Sequence, residues 1–256
     1  MWKALRVAIL LLILAMAAQS AWLAQRDATD WKNPLVVVVY PLNADGSEAA
    51  DRYIAALGVE RFQPIADFMR EQAAHYRVPV SQPVELRLAA PVRALPPPTP
   101  AAGDTPAIVW WSLRLRLWAW WNDNYTGARA NVRLFLMYHD DRRSPRLPHS
   151  TGLQKGLLGV VHVFANTQMS AENNVVIAHE MLHTLGATDK YDLRTTLPSF
   201  PDGYAEPALS PVLPQRLAEI MGGRIPVTEA RAVQAEGLHR VVIGPKTAAE
   251  IRWLRP

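Results

Sequence analysis

The chain of 256 residues contains no cysteine, which excludes disulfide frameworks, thiolate zinc knuckles, iron–sulfur clusters and cysteine nucleophiles. It has no block of five or more Lys/Arg, and 27 basic against 23 acidic residues leave a formal charge of only +4. That balance gives no reason to expect a nucleic-acid partner. No G-x-S-x-G is present, and GLQKGLLG (152–159) lacks the Gly-Lys-Ser/Thr ending of a phosphate-binding loop. What remains is an ordinary globular composition, half apolar and one fifth charged, with no internal repeat and enough length for one large domain or two small ones.

The amino terminus departs from that average. Lys3 and Arg6 precede an uninterrupted apolar run from Val7 to Ala18, the length of a signal-peptide h-region and short for a membrane span. Small residues at Ala15/Ala17 and Ser20/Ala21 offer cleavage sites. Read through Gln19 and Ser20 as far as Leu23, residues 7–23 make an uncleaved inner-membrane anchor. Residues 1–24 are therefore expected to be a signal peptide or an amino-terminal membrane anchor. The rest is expected outside the cytoplasm, in a bacterial periplasm or secreted.

Beyond it, LVVVVY (35–40), stopped by Pro41, reads as a buried strand, and VELRLA (84–89), NVRLFLMY (131–138) and LLGVVHVF (157–164) as three more. Helical periodicity covers 51–57, 60–77 and 171–185, with a Pro-rich extended connection at 94–106. Thr105-Pro106 starts a further helix to about 121, which holds five of the nine Trp. Its segment WWSLRLRLWAWW reads first as a buried helix, ahead of a membrane-surface contact. After 187 the chain is loop-rich, with eight of its 21 Pro. This order predicts an α+β fold: a mixed β-sheet upper lobe (about 33–186) with one covering face, and a small irregular lower lobe (about 187–256).

The chemistry lies in His179-Glu180-Met181-Leu182-His183. On a helix, positions i and i+4 share a face, so both imidazoles reach one small cation, and Glu180 is placed to take a proton from a water that the cation holds. Shuffling a chain of this composition produces the pattern roughly 1% of the time. A catalytic zinc needs a third protein ligand. Gly186 offers a left-handed helix end that would turn the chain and bring up Asp189. Asp192, Asp202 and Glu206 are the other carboxylates in range.

The full string H-E-x-x-H-x-x-G-x-x-D, from His179 to Asp189, resembles the metzincin metalloproteases, with Asp where their third His usually stands, as in snapalysin-type bacterial secreted proteases. The resemblance implies Zn2+ held by His179, His183 and Asp189, Glu180 as catalytic base, and a zincin-like fold. It also implies a Met in a tight turn beneath the metal, here Met221 of Glu219-Ile220-Met221-Gly222-Gly223. The strand before the active-site helix, Gly159–Phe164, is expected as the free edge that pairs with a substrate backbone. His162 on that strand, and Tyr191 and Tyr204 beyond the motif, read first as structural and second as cleft residues. The activity expected is a zinc metalloendopeptidase in a 33–256 domain, acting on peptide or protein substrates. A non-catalytic, membrane-tethered binding protein on the same scaffold, or a zinc hydrolase of cell-wall peptides, are the other readings.

Overall fold

A computed structural model describes residues 2–100 and 105–254; residues 101–104 of the Pro-rich connection, and the side chains of residues 3, 4, 8, 10, 13, 14, 17, 18, 21 and 155, among them Lys3, Ala17, Ala18 and Ala21 of the amino-terminal segment, lie outside the described residues. Strands β1 (Leu35–Asn43), β2 (Val84–Leu88), β3 (Val132–His139), β4 (Thr151–Leu153) and β5 (Leu158–Phe164) form one sheet in the order β2-β1-β3-β5-β4. Every pair is parallel except the edge pair β4–β5. The helices are α1 (Trp2–Ala28), α2 (Glu48–Ala55), α3 (Gln63–His75), α4 (Thr105–Trp121), α5 (Ser170–Leu185) and α6 (Pro245–Glu250). The fold is thus α+β around a mostly parallel sheet.

The strands alternate between two cores. Val37, Val39, Leu134, Leu136, Val161 and Val163 face α2, α3 and α5, where Ile54, Ile65, Met69, Ile177 and Met181 are buried. Val38, Tyr40, Phe135, Met137 and Val160 face the other way, onto Trp111, Leu115 and Ala119 of α4. The expected single covering face is therefore corrected: helices lie on both sides. Continuous apolar runs are what a parallel sheet buried on both faces requires.

Two further expectations change. Strand β1 does not stop at Pro41 but runs to Asn43. The Pro41 carbonyl accepts from Val92 N–H, so the residue's missing donor lies on the side where β2 has already ended; no bond to β3 is lost. Helix α4 is not a buried helix. Its Trp111, Leu115 and Ala119 are buried and Trp118 is half-buried against Phe135, while Trp110, Leu113, Leu117, Trp120 and Trp121 are exposed.

The segment after α5 contains the short strands β6 (Ala218–Glu219), β7 (Ile225–Thr228), β8 (Arg231–Val233) and β9 (Val241–Val242), paired β6–β9 and β7–β8. Its Ile220, Met221, Ile225, Leu238 and Ile251 join the core that α5 builds. At the other end of the chain, Trp31 just beyond α1 donates its indole N–H to the Ile251 carbonyl at 2.7 Å and meets Trp253 edge-on. Among the described residues no helix is long and apolar enough to cross a membrane.

Candidate metal centre

Helix α5 sets the first two donors. Ile177, Ala178, Met181, Leu182 and Leu185 bury one face in the core, which leaves His179 and His183, one turn apart, on the face toward the cleft. The helix ends at Gly186, whose φ of 109° is a left-handed conformation that a side chain would strain. Gly186 N–H donates to the His183 carbonyl and Ala187 N–H to Leu182, the paired bonds of a Schellman stop. The reversal brings the Ala187 carbonyl under His183 and, two residues on, Asp189 against both imidazoles.

The His179 and His183 Nε2 atoms are 3.1 Å apart, and Asp189 Oδ1 is 3.2 Å from each. Ligands arranged tetrahedrally at about 2.0–2.1 Å from one ion stand about 3.3 Å apart, so this triangle has the span of three corners of such a shell. The far ring nitrogens agree with it. His179 Nδ1 lies 2.9 Å from the Ile220 carbonyl and His183 Nδ1 2.8 Å from the Ala187 carbonyl. A carbonyl only accepts, so each Nδ1 carries the proton and each Nε2 turns a lone pair toward the other and toward a carboxylate. Three electron-rich atoms this close need a cation among them, a metal ion or a proton. Burial works against a charged His179, but Asp189, Glu180 and the Ile220 carbonyl together raise its pKa. Burial would likewise raise Asp189, yet its bonds to the two imidazoles hold it well below the usual carboxylate range.

Glu180 is buried beside them, with a ligand atom within 4.8 Å of both imidazoles, so that His179, Glu180 and His183 form a group able to hold a metal ion. Its Oε2 is buried with no hydrogen-bond partner among the described residues, and burial raises its pKa. The other candidate carboxylates are occupied elsewhere or point outward. Asp192 accepts from Arg194 and Thr195 in its own turn, Glu206 pairs with Arg216 at 3.0 Å, and Asp202 is exposed.

Met221 is fully buried in a tight turn, in which Gly222 and Gly223 N–H donate to the Glu219 carbonyl. This turn delivers the Ile220 carbonyl to His179, and its Met221 carbonyl accepts from Lys190 N–H at 2.8 Å. Sequence reading missed what fixes it. Glu219, wholly buried, accepts from Gly222 N–H, Gly244 N–H and the Thr247 hydroxyl. Lys190, also buried, pairs with Glu250 at 2.8 Å, and Glu250 accepts from Thr188 N–H and its hydroxyl. The one signal in the sequence was Glu219, a charge inside the otherwise apolar Leu217–Met221; Lys190 stands in a polar stretch and gave none.

A cleft of about 360 Å3 opens onto His179 and Glu180. Its free sheet edge is not Gly159–Phe164, because β4 pairs with Leu158–Val160 and the Ser150 hydroxyl accepts from His162 N–H. The edge is Thr151–Leu153 itself, too short and too weakly patterned to read as a strand. Gly152 sits so close to α5 that a Cβ there would lie 2.6 Å from the His183 Cβ and 2.8 Å from the Glu180 carbonyl oxygen. Tyr191 lines the cleft, and burial, followed by the charge of Asp189, pushes its pKa up to about 12. Tyr204 instead packs edge-on against Phe200 at 5.3 Å, outside the cleft lining. His162 lines the cleft with Nδ1 2.8 Å from His139 Nε2; burial and that second imidazole bring its pKa down to about 4. No known family model matches the chain, and no curated protein is significantly similar to it.

Proposed function

We propose that the chain is a zinc-dependent peptidase of the metzincin-like type, exported from the cytoplasm or anchored at its amino terminus. The observation that carries this reading is the triangle of His179 Nε2, His183 Nε2 and Asp189 Oδ1, with both imidazoles oriented by backbone carbonyls and an unpartnered Glu180 carboxylate oxygen beside it. A structural site has no use for a buried base next to its ligands, which favours the enzyme over a binding protein. Oxygen and nitrogen donors without any thiolate, three in number, suit a catalytic zinc. When bound, zinc supplies a Lewis acid and lowers the pKa of a water in its open position.

The chain's own residues supply the rest. The Glu180 carboxylate, poorly solvated and one residue from His179, takes the proton from the attacking water and returns it to the leaving amine. The Tyr191 hydroxyl remains protonated well above neutral pH and donates to the oxygen that gains charge. The Thr151–Leu153 edge accepts an extended peptide as an added strand.

The test is metal content and turnover of purified full-length protein. About one zinc per chain is expected, lost in His183→Ala and weakened by Asp189→Ala but not by Glu206→Ala. Glu180→Gln should keep the zinc and lose nearly all peptide hydrolysis. Turnover retained by Glu180→Gln would refute the mechanism, and zinc lost only in Glu206→Ala would move the third ligand.

A further inference from the structure

We propose that the outer face of α4 lies in the headgroup region of an anionic lipid leaflet. This stands apart from the hydrolytic reading of α5, which packs on the opposite side of the sheet. The 17 residues of α4 include five Trp and two Arg, and neither Asp nor Glu. A helix that is apolar all round needs cover on every side, and the sheet covers the stripe of Trp111, Leu115 and Ala119, with Trp118 half-buried beside it against Phe135. On the other side Trp110, Leu113, Leu117, Trp120 and Trp121 are 64%, 51%, 53%, 71% and 72% exposed. The helix is about 26 Å long, so this is a continuous apolar surface far beyond scattered exposed residues.

The surface continues in both directions. Leu95, itself exposed, shares a recess with Arg114, Leu117 and Trp121. On the other flank, a cleft of about 410 Å3 is lined by Ser20 and Ala24 of α1 together with Ala119 and Trp120 of α4. Helix α1 exposes Leu11, Leu12, Met16, Trp22 and Leu23 in turn. Two apolar helix surfaces therefore meet on one side of the molecule.

Three features select a leaflet as the occupant. Indole rings, part apolar and part N–H donor, favour the boundary between acyl chains and headgroups. Arg114 on the helix and Arg129 in the α1–α4 cleft give the patch a positive fringe that no acid on α4 balances, which complements anionic headgroups. A second copy docked face to face through a two-fold axis would bring the same arginines toward one another. The contact is in the plane of the leaflet and requires no spanning helix.

The absence of cysteine permits a direct test. Full-length Leu117→Cys and Trp120→Cys, with Glu71→Cys on the exposed side of α3 as control, carry a fluorophore on the single thiol and are reconstituted with phosphatidylcholine–phosphatidylglycerol vesicles. At 117 and 120 we expect severalfold stronger quenching by nitroxide-labelled lipid than at 71, and severalfold weaker quenching by iodide. Equal iodide access at all three positions would overturn the proposal. So would shielding from iodide without quenching by lipid, which would mean that protein covers the face. Arg114→Glu combined with Arg129→Glu should return the probe at 117 toward iodide access; no change, or equal lipid quenching in pure phosphatidylcholine, would overturn the anionic preference.

Discussion

Replacing Glu219 separates the support of the candidate metal site from the site itself. Its Oε1 accepts from Gly244 N–H at 3.0 Å and Thr247 Oγ1 at 2.6 Å, and its Oε2 from Gly222 N–H at 2.8 Å, all within the protein interior. A buried donor left without an acceptor costs about 1–3 kcal/mol. Glu219→Ala strands three donors that share one neighbourhood, so the penalties overlap and the expected loss is about 3–5 kcal/mol. Glu219→Gln keeps the two bonds at Oε1 but turns an NH2 toward Gly222 N–H, for about 1–3 kcal/mol. Burial, against the opposing hydrogen bonds and Lys190, raises the Glu219 pKa above its ordinary value. The folded state therefore takes up the proton at higher pH than the unfolded chain does. The stability this contributes is complete below the unfolded pKa and declines as pH rises through the folded one, so the Gln penalty should be largest in mild acid and shrink toward neutrality. Loosening the turn also frees the Ile220 carbonyl from His179. Loss of such a partner typically lowers metal affinity about 10–100-fold. Urea unfolding of the metal-free proteins across pH, with chelator competition for zinc affinity, reads both effects. Wild-type zinc affinity in Glu219→Ala, or a Gln penalty that grows with pH, would refute the reasoning.

Two further perturbations probe other supports. Gly152→Ala places a methyl group against the His183 Cβ and the Glu180 carbonyl, neither of which is the end of a flexible chain. We expect a loss of about 1–3 kcal/mol in chemical unfolding and a raised KM as β4 is pushed off α5; unchanged values would refute the close packing. Glu250→Gln removes the partner of a buried Lys190 and should cost about 2–3 kcal/mol near neutral pH. Burial raises Glu250, but Lys190 and Thr188 lower it further, so its contribution is present above the unfolded pKa and is lost as pH falls through the folded value. The variant's stability should accordingly fall less steeply in acid than the wild type's, and parallel acid limbs would count against the pair.

The elements that the sequence announces clearly are those whose periodicity is set by burial on a defined side. The helices at 48–55, 63–75 and 170–185 and the strand at 84–88 lie within a few residues of their expected places. The donors His179, His183 and Asp189 come from one helix and the turn after it, a range over which spacing predicts geometry. Three things were not legible for identifiable reasons. Strand β4 has three half-exposed residues and no alternation, because its position comes from Gly152 lodging against α5 rather than from a buried face. Helix α4 is apolar on every side, so its sequence cannot say which side the protein covers. The two-sided sheet was written in the uniform apolar runs of β1, β3 and β5, but the order of elements suggested helices on one face only.

The remaining illegible part is the most consequential for chemistry. A metal triangle needs its donors and also the rotation of each imidazole about its own side chain. For His183 that rotation is set locally, by the Ala187 carbonyl on the far side of the Gly186 turn. For His179 it is set by Ile220, 41 residues away, on a turn whose hydrogen bonds run through Glu219 to Gly244 and Thr247. The segment between α5 and that turn must therefore fold before His179 acquires a fixed orientation, whereas His183 has its partner as soon as α5 ends. The two imidazoles thus differ in what they depend on. Damage to the 219–222 turn should weaken the site through His179 and, by way of the Met221 carbonyl that holds Lys190 N–H, through the neighbouring Asp189, and leave the acceptor of His183 in place; damage at Gly186 displaces that acceptor and Asp189 together.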